Sequence, residues 1–287
     1  MCHSRVAKGA QPDGDHLKGV EDHMPSNFVA KGADGYEAIM GRWSRRLAEP
    51  FLDFSGVPPG GCVLDAGCGT GSLTLALAAY LNLAAIEAVD FEEDFVTALR
   101  KRTTDPRIKA QKGDICALPH GDGEFDGVYS LLVLHFASDP HRAVREMRRV
   151  LRPGGRAAAA VWAYGGMPSW RLFWDAIVAI EPEAADISPT SAKQPMTGEG
   201  ELREVFEHAG FADVADTVLA IRMDYANFED FWYPMVYGQG TFGGFFDGLP
   251  ETRRDRLRDA VRAAYLGGDS DGPRGFASVA WAVRGTA

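Results

Sequence analysis

The sequence predicts an α/β fold on a doubly wound, mostly parallel sheet, with helical insertions after the fifth and sixth strands. Three observations carry that expectation. Residues 62–65 form a short apolar run, followed by a turn with glycine at 67, 69 and 71 and a helical pattern from Ser72. A strand, a tight turn and a helix in that order are the unit from which open parallel sheets are built. The alternation then continues, with strand patterns at 85–90, from 108, at 125–134 and at 156–162, and helical ones at 93–102 and 139–151. Finally, 287 residues with 46% hydrophobic and 24% charged side chains suffice for one large α/β domain, or for a core carrying a sizeable insertion.

Taken in order, residues 1–25 hold His3, His16 and His23 among Gly, Asp, Lys and Pro, the composition of a disordered tail. Residues 26–287 are expected to form a single domain. From Gly35, the apolar side chains Tyr36, Met40, Trp43, Leu47 and Phe51 recur every three or four positions, with Arg42, Arg45 and Arg46 off that face. After the glycine turn, residues 72–83 read as a helix, and the strand at 85–90 ends in Asp90. Asp139 suits the N-cap of the helix at 139–151 and Pro140 its first turn, while Arg152-Pro-Gly-Gly155 stops it.

Past residue 163 the pattern loosens. Trp170, Phe173 and Trp174 give one helix an aromatic face, a Pro/Ser/Thr loop covers 187–200, and a helix at 201–209 is ended by Gly210. Residues 214–223 and 276–284 read as strands. The insertion between them carries Phe228, Phe231, Trp232, Tyr233 and Tyr237, then a helix at 251–265.

Composition removes several function classes. A formal net charge of −10 argues against a surface that grips nucleic-acid backbones, which rests on clustered Lys and Arg. No run of about 18 apolar residues exists, so no membrane span is expected. Cys2, Cys62, Cys68 and Cys116 show no C-x-x-C spacing and read as reduced thiols of a cytoplasmic protein, with no metal site expected.

The turn itself narrows the ligand. Its glycines permit sharp bending and close backbone approach, and the helix behind it presents free N–H groups. A dinucleotide fingerprint would be G-x-G-x-x-G. Here the spacing is G-x-G-x-G behind an acid, Asp65-Ala-Gly67-Cys-Gly69-Thr-Gly71. This resembles the first motif of the class I S-adenosylmethionine-dependent methyltransferases of small-molecule type, and the likeness runs over residues 35–163. It implies a seven-stranded Rossmann-like sheet whose last two strands are an antiparallel pair, with S-adenosyl-L-methionine as cofactor.

The resemblance also implies roles. The string from Tyr36 to Ser44 resembles an entry segment that covers the cofactor, with Tyr36 and Arg42 placed to hold its carboxylate. Asp65, Gly67 and Gly69 belong to the first motif. Asp90, at the tip of the second strand, is expected to accept bonds from the ribose hydroxyls, with Phe91 against the adenine. Asp114 and Ile115 fit the positions that read the adenine edge, and Leu131 to His135 match the region after the fourth strand. Segments 164–212 and 224–275 are expected to cover a hydrophobic or aromatic small-molecule acceptor through Trp170, Trp174, Trp232 and Tyr237. His135 is the candidate base where the acceptor needs a proton removed. Oligomeric state is not encoded in any of these features.

Rival readings differ in named residues. An oxidoreductase would need the other glycine spacing and a Tyr-x-x-x-Lys pair, and has neither. DNA amino-methylating enzymes have an Asn- or Asp-Pro-Pro-aromatic tetrad where this chain reads Ser130-Leu-Leu-Val133, and no Pro-Cys dipeptide stands there for cytosine chemistry. The four scattered cysteines do not suit arsenic methylation. A cyclase-like or regulatory protein on the same fold stays open, because fold does not fix function. An RNA or protein methyltransferase stays open too, though it lacks a basic surface signal.

Overall fold

The computed structural model describes residues 32–80, 82–237 and 245–287. The expected tail, including its histidines, and the glycines at 238, 240, 243 and 244 lie outside these residues. Seven strands make one sheet in the order β3-β2-β1-β4-β5-β7-β6. These are β1 Cys62–Ala66, β2 Ala85–Asp90, β3 Ile108–Lys112, β4 Phe125–Leu131, β5 Leu151–Trp162, β6 Ala212–Tyr225 and β7 Arg274–Thr286. Strands β1 to β5 are parallel, whereas β7 runs antiparallel to both β5 and β6. The doubly wound, seven-stranded architecture is the one the sequence predicts.

Sequence explains the central strands. Leu64, Val128 and Ala157 through Val161 are fully buried, as expected for strands covered by helices on both faces. On one face, the helix Arg42–Ser55 and the helix Ser72–Tyr80 pack with Pro168–Ile180, Phe228–Tyr237 and Glu251–Leu266. The other face takes Pro140–Arg149 and Glu201–His208. Asp139 caps the former as expected, accepting the Arg142 N–H at 2.8 Å.

Three of the boundaries that move concern β1 to β5 and their connections. The helix after the glycine turn stops at Tyr80 rather than 83. Strand β4 ends at Leu131 rather than 134, because Leu132 takes a left-handed backbone (φ 66°) and its N–H bonds the Ala160 carbonyl at 2.8 Å. Strand β5 starts at Leu151, which pairs with Phe125. The register then jumps across Arg152-Pro-Gly-Gly155, so the segment expected to be a plain stop is an irregularity inside the pairing. All these changes leave the carboxyl ends of β1, β2 and β4 together, where open sheets bind ligands.

Candidate functional site

A cavity of about 510 Å³ opens at those strand ends. One half is built on the glycine turn. Gly67 and Cys68 donate their N–H groups to the Val89 carbonyl at 2.7 and 2.9 Å, and Gly71 donates to Cys68 at 2.9 Å, which fixes the loop. Gly67 has φ 84°, and a Cβ there would stand 2.5 Å from the Val133 side chain. Only glycine fits both the angle and the space.

Asp90 is held with its carboxylate in place. Its Oδ2 accepts the Gly69 N–H at 2.8 Å and its Oδ1 the Glu92 N–H at 3.0 Å. Burial nevertheless pushes its pKa up to about 6, against the lowering effect of those bonds. Phe91, Asp114, Ile115 and Leu131 also line the cavity, and Asp114 accepts the Cys116 N–H at 2.8 Å. Tyr36 closes this half from the entry side, with its hydroxyl 3.3 Å from Ser44 Oγ and its ring 5.3 Å from Phe95. Burial pushes its pKa up to about 12, so the phenol stays neutral.

Asp65 and Arg42 sit elsewhere than expected. Asp65 is fully buried below the turn and is not among the lining residues. Its Oδ2 accepts the Thr74 hydroxyl at 2.6 Å, its Oδ1 has no partner, and burial pushes its pKa up to about 7. It braces the helix behind the turn. Arg42 points away from the cavity, bonding Asp230 Oδ1 at 2.8 Å and lying 4.2 Å over the Trp43 ring. A partner 188 positions along the chain captures the guanidinium.

The other half of the cavity is walled by residues 162–171 and 186–197, with Leu132, His135 and Phe136 between the halves. Trp170 belongs to this wall. Trp174 and Trp232 do not: both are buried in the core, Trp232 packing against Phe173, Phe228 and Phe246 at 5.5–5.8 Å. The side chain of Tyr237 lies outside the described residues. At the mouth, Tyr164 and Ile187 are 55% and 37% exposed, an apolar rim beside the exposed Arg171.

His135 is 5% exposed, its Nδ1 has no partner, and its ring lies 3.9 Å from that of Phe136. Burial lowers its pKa to about 3. The imidazole is therefore neutral and a weak proton acceptor, unlike a base matched to neutral pH.

The sequence reading missed Glu37 and Thr70. Thr70 lines the cavity, and Glu37 binds its hydroxyl. Burial pushes the Glu37 carboxyl up, but bonds from Thr70 and Arg45 and the charges of Arg102 and Arg45 outweigh it and hold it below its usual range. The available signal was an acid one helical turn before Gly41. Among the described residues no group of His, Cys, Asp and Glu could hold a metal, Cys62, Cys68 and Cys116 are unpaired, and no helix is long and apolar enough to cross a membrane.

Comparison with known proteins agrees with this geometry. The family model described as a methyltransferase domain matches residues 64–159. A 37.1 kDa protein of transposon Tn4556 from Streptomyces fradiae is 35% identical over 129 residues, 44% of this chain and 36% of that protein. The malonyl-[acyl-carrier protein] O-methyltransferase of Herminiimonas arsenicoxydans is 28% identical over 195 residues, 68% of this chain and 69% of the relative. The chain thus spans about a third of the first relative and about two thirds of the second. Among solved structures, Bacillus subtilis YcgJ gives a TM-score of 0.55 at 18% identity, covering 84% of this chain and 97% of its own. The [4+2]-cyclase SpnF gives 0.53 at 20% identity, covering 91% and 87%. At such identities the structural likeness concerns the fold. The family match takes in the glycine turn and the parallel strands beside it, so residues 64–159 resemble an S-adenosylmethionine-dependent methyltransferase domain, on a fold shared with the solved structures.

Proposed function

We propose that this protein methylates a small molecule with an apolar or ring-bearing body, which enters the half of the cavity walled by residues 162–171 and 186–197. The observation carrying this reading is the continuity of the cavity: polar and glycine-lined at the strand tips, apolar around Leu132, Phe136, Trp162, Met167 and Trp170. When bound, S-adenosylmethionine supplies a methyl group activated by its sulfonium charge. The residues present fit that cofactor. Asp90 offers ionised oxygens to ribose hydroxyls, Asp114 and Ile115 take the adenine edge, Phe91 its face, and Gly67 and Gly69 admit the amino-acid part. Tyr36 covers it, while Asp65 sits beneath as a buried carboxyl.

The rest of the work is alignment and exclusion of water. In this reading His135 holds a polar group of the acceptor by hydrogen bonding rather than storing its proton. That suits an acceptor atom that arrives nucleophilic, such as a carboxylate oxygen. An oxygen of a malonyl group, as in the name of the Herminiimonas relative, is compatible. The net charge of −10 supports a non-nucleic-acid partner, the unpaired cysteines support a cytoplasmic setting, and the single sheet supports one domain over 26–287.

The test is a panel of carboxylic acids, phenols and amines followed by S-adenosylhomocysteine release. Trp170→Ala should lose most acceptor turnover and keep cofactor affinity within about twofold. Undiminished turnover in that variant would move the acceptor elsewhere.

A further inference from the structure

The entry segment contains an irregular turn with a purpose. Ala33–Tyr36 is α-helical, Glu37–Gly41 is a π-turn, and Arg42–Ser55 is α-helical again. Such widened turns recur at functional sites, because they re-aim side chains that a regular helix would stack elsewhere. Glu37 opens this turn. Its Oε1 accepts the Thr70 hydroxyl and the Arg102 Nη1 at 2.7 Å, and its Oε2 accepts the Arg45 Nη1 at 2.5 Å. Arg102 also donates to the Thr70 carbonyl at 3.0 Å. One half-buried carboxylate therefore joins the entry segment, the glycine turn and the end of the helix Glu93–Arg102.

Gly41 belongs to the same device. A Cβ at 41 would collide with the Glu37 carboxylate, so the glycine leaves room for it. The entry residues around this joint, Tyr36, Ile39, Met40 and Ser44, all line the cavity beside the glycine turn. The Glu37–Thr70 bond ties that cover to the glycine turn.

We propose that Glu37 is a positioning residue that clamps the entry segment over the cofactor and sets its rate of exchange. The clamp rests on the reading that S-adenosylmethionine occupies the glycine-lined half of the cavity. It acts on the cover alone, so it controls how long the cofactor stays and leaves the acceptor wall untouched.

The experiment measures S-adenosylhomocysteine release by stopped-flow in the full chain, with the melting temperature of the cofactor-free protein beside it. Glu37→Gln removes the charge and keeps the shape. Gly41→Ala displaces the same carboxylate by a different route. Thr70→Val removes the hydroxyl, and Thr70→Ser restores it. Release should be about tenfold faster in the first three variants and near wild type in Thr70→Ser, with cofactor-free melting within about 3 °C throughout. With wild type binding normally, unchanged release in Glu37→Gln and Gly41→Ala overturns the clamp alone. A large drop in cofactor-free melting for Glu37→Gln also overturns it, since the residue would then be a fold element. Wild type that fails to bind S-adenosylhomocysteine would remove the reading of the cavity beneath it, and the clamp too.

Discussion

Two segments follow the parallel part of the sheet, and both are rich in large aromatic side chains. Residues 163–211 reach the cavity; the described part of 226–273 does not. The difference lies in what each aromatic finds to pack against. Phe228, Phe231 and Trp232 meet one another's neighbours, Phe173, Tyr265 and Phe246, at 5.1–6.2 Å and complete the core on that side of the sheet. The helix Pro168–Ile180 divides the labour within itself. Phe173, Trp174 and Ile177 face that core, whereas Trp170 and Arg171 at its start reach the cavity. Aromatic density therefore marks buried area, and of the described aromatic side chains in these two segments only Trp170, at the start of its helix, combines packing on the core with a place in the cavity wall.

The largest effect expected from this contrast is on stability. Trp232→Ala should cost about 3–5 kcal/mol in chemical denaturation, as large core truncations do. Trp170→Ala, only half-buried, should cost no more than about 1.5 kcal/mol. Equal costs would erase the distinction between core and wall.

Next comes the half of the cavity proposed for the cofactor. Asp90→Ala removes bonds to an ionised oxygen pair, each worth about 1.5–3 kcal/mol, so S-adenosylhomocysteine affinity should fall at least about tenfold by calorimetry. Unchanged affinity would take Asp90 out of the site.

Buried groups around the cavity should also respond oppositely to pH. Asp65 and Asp90 have pKa values raised to about 7 and 6 in the folded protein. Their contribution to stability is full below about pH 4 and is lost as pH rises through those values. His135, lowered to about 3, contributes above its ordinary value near 6.5 and loses that contribution as pH falls. Between pH 5 and 8 the cofactor-free wild type should lose stability relative to Asp90→Asn. Between pH 7 and 4 it should lose stability relative to His135→Gln. Each difference is on the order of 1–3 kcal/mol by linkage. Parallel curves for wild type and variant would show that the buried group is not shifted.

The smallest effect belongs to Arg42. Its pair with Asp230 is 32% exposed on both sides, so Arg42→Gln should change stability by less than about 1 kcal/mol. Cofactor affinity should stay within about twofold. A tenfold loss would return Arg42 to the cavity.

Legibility in the sequence follows distance along the chain. The glycine turn, Asp90 and Asp114 were readable because each sits at a fixed offset from its own strand, and the strand tip delivers it to the crevice. Asp139 was readable as a cap for the same local reason. Arg42 was not, because its position is decided by Asp230, and no local pattern reports that pairing. Asp65 keeps its motif place yet faces Thr74 rather than the cavity, a difference of rotation that spacing does not carry. Trp170 and Trp174 lie one helical turn apart, and only the packing of a distant segment separates their roles. Glu37 is not legible because a charged residue in an amphipathic helix reads as solvated, and its partners Thr70 and Arg102 lie 33 and 65 positions away.

One contact has consequences for how such an enzyme diversifies. The left-handed Leu132 swings the chain so that Val133 presses on Gly67, with no room for a single added methyl between them. The end of β4 and the glycine turn should therefore vary as a coupled pair, since growth at 133 would have to be answered at 67, where no side chain can be given up. On the acceptor placement proposed above, lineages changing their acceptor should vary 162–171 and 186–197 instead, where substitutions leave the shared boundary intact. Paralogues of this protein should then diverge fastest in those stretches while glycine at 67 and a small β-branched residue at 133 travel together.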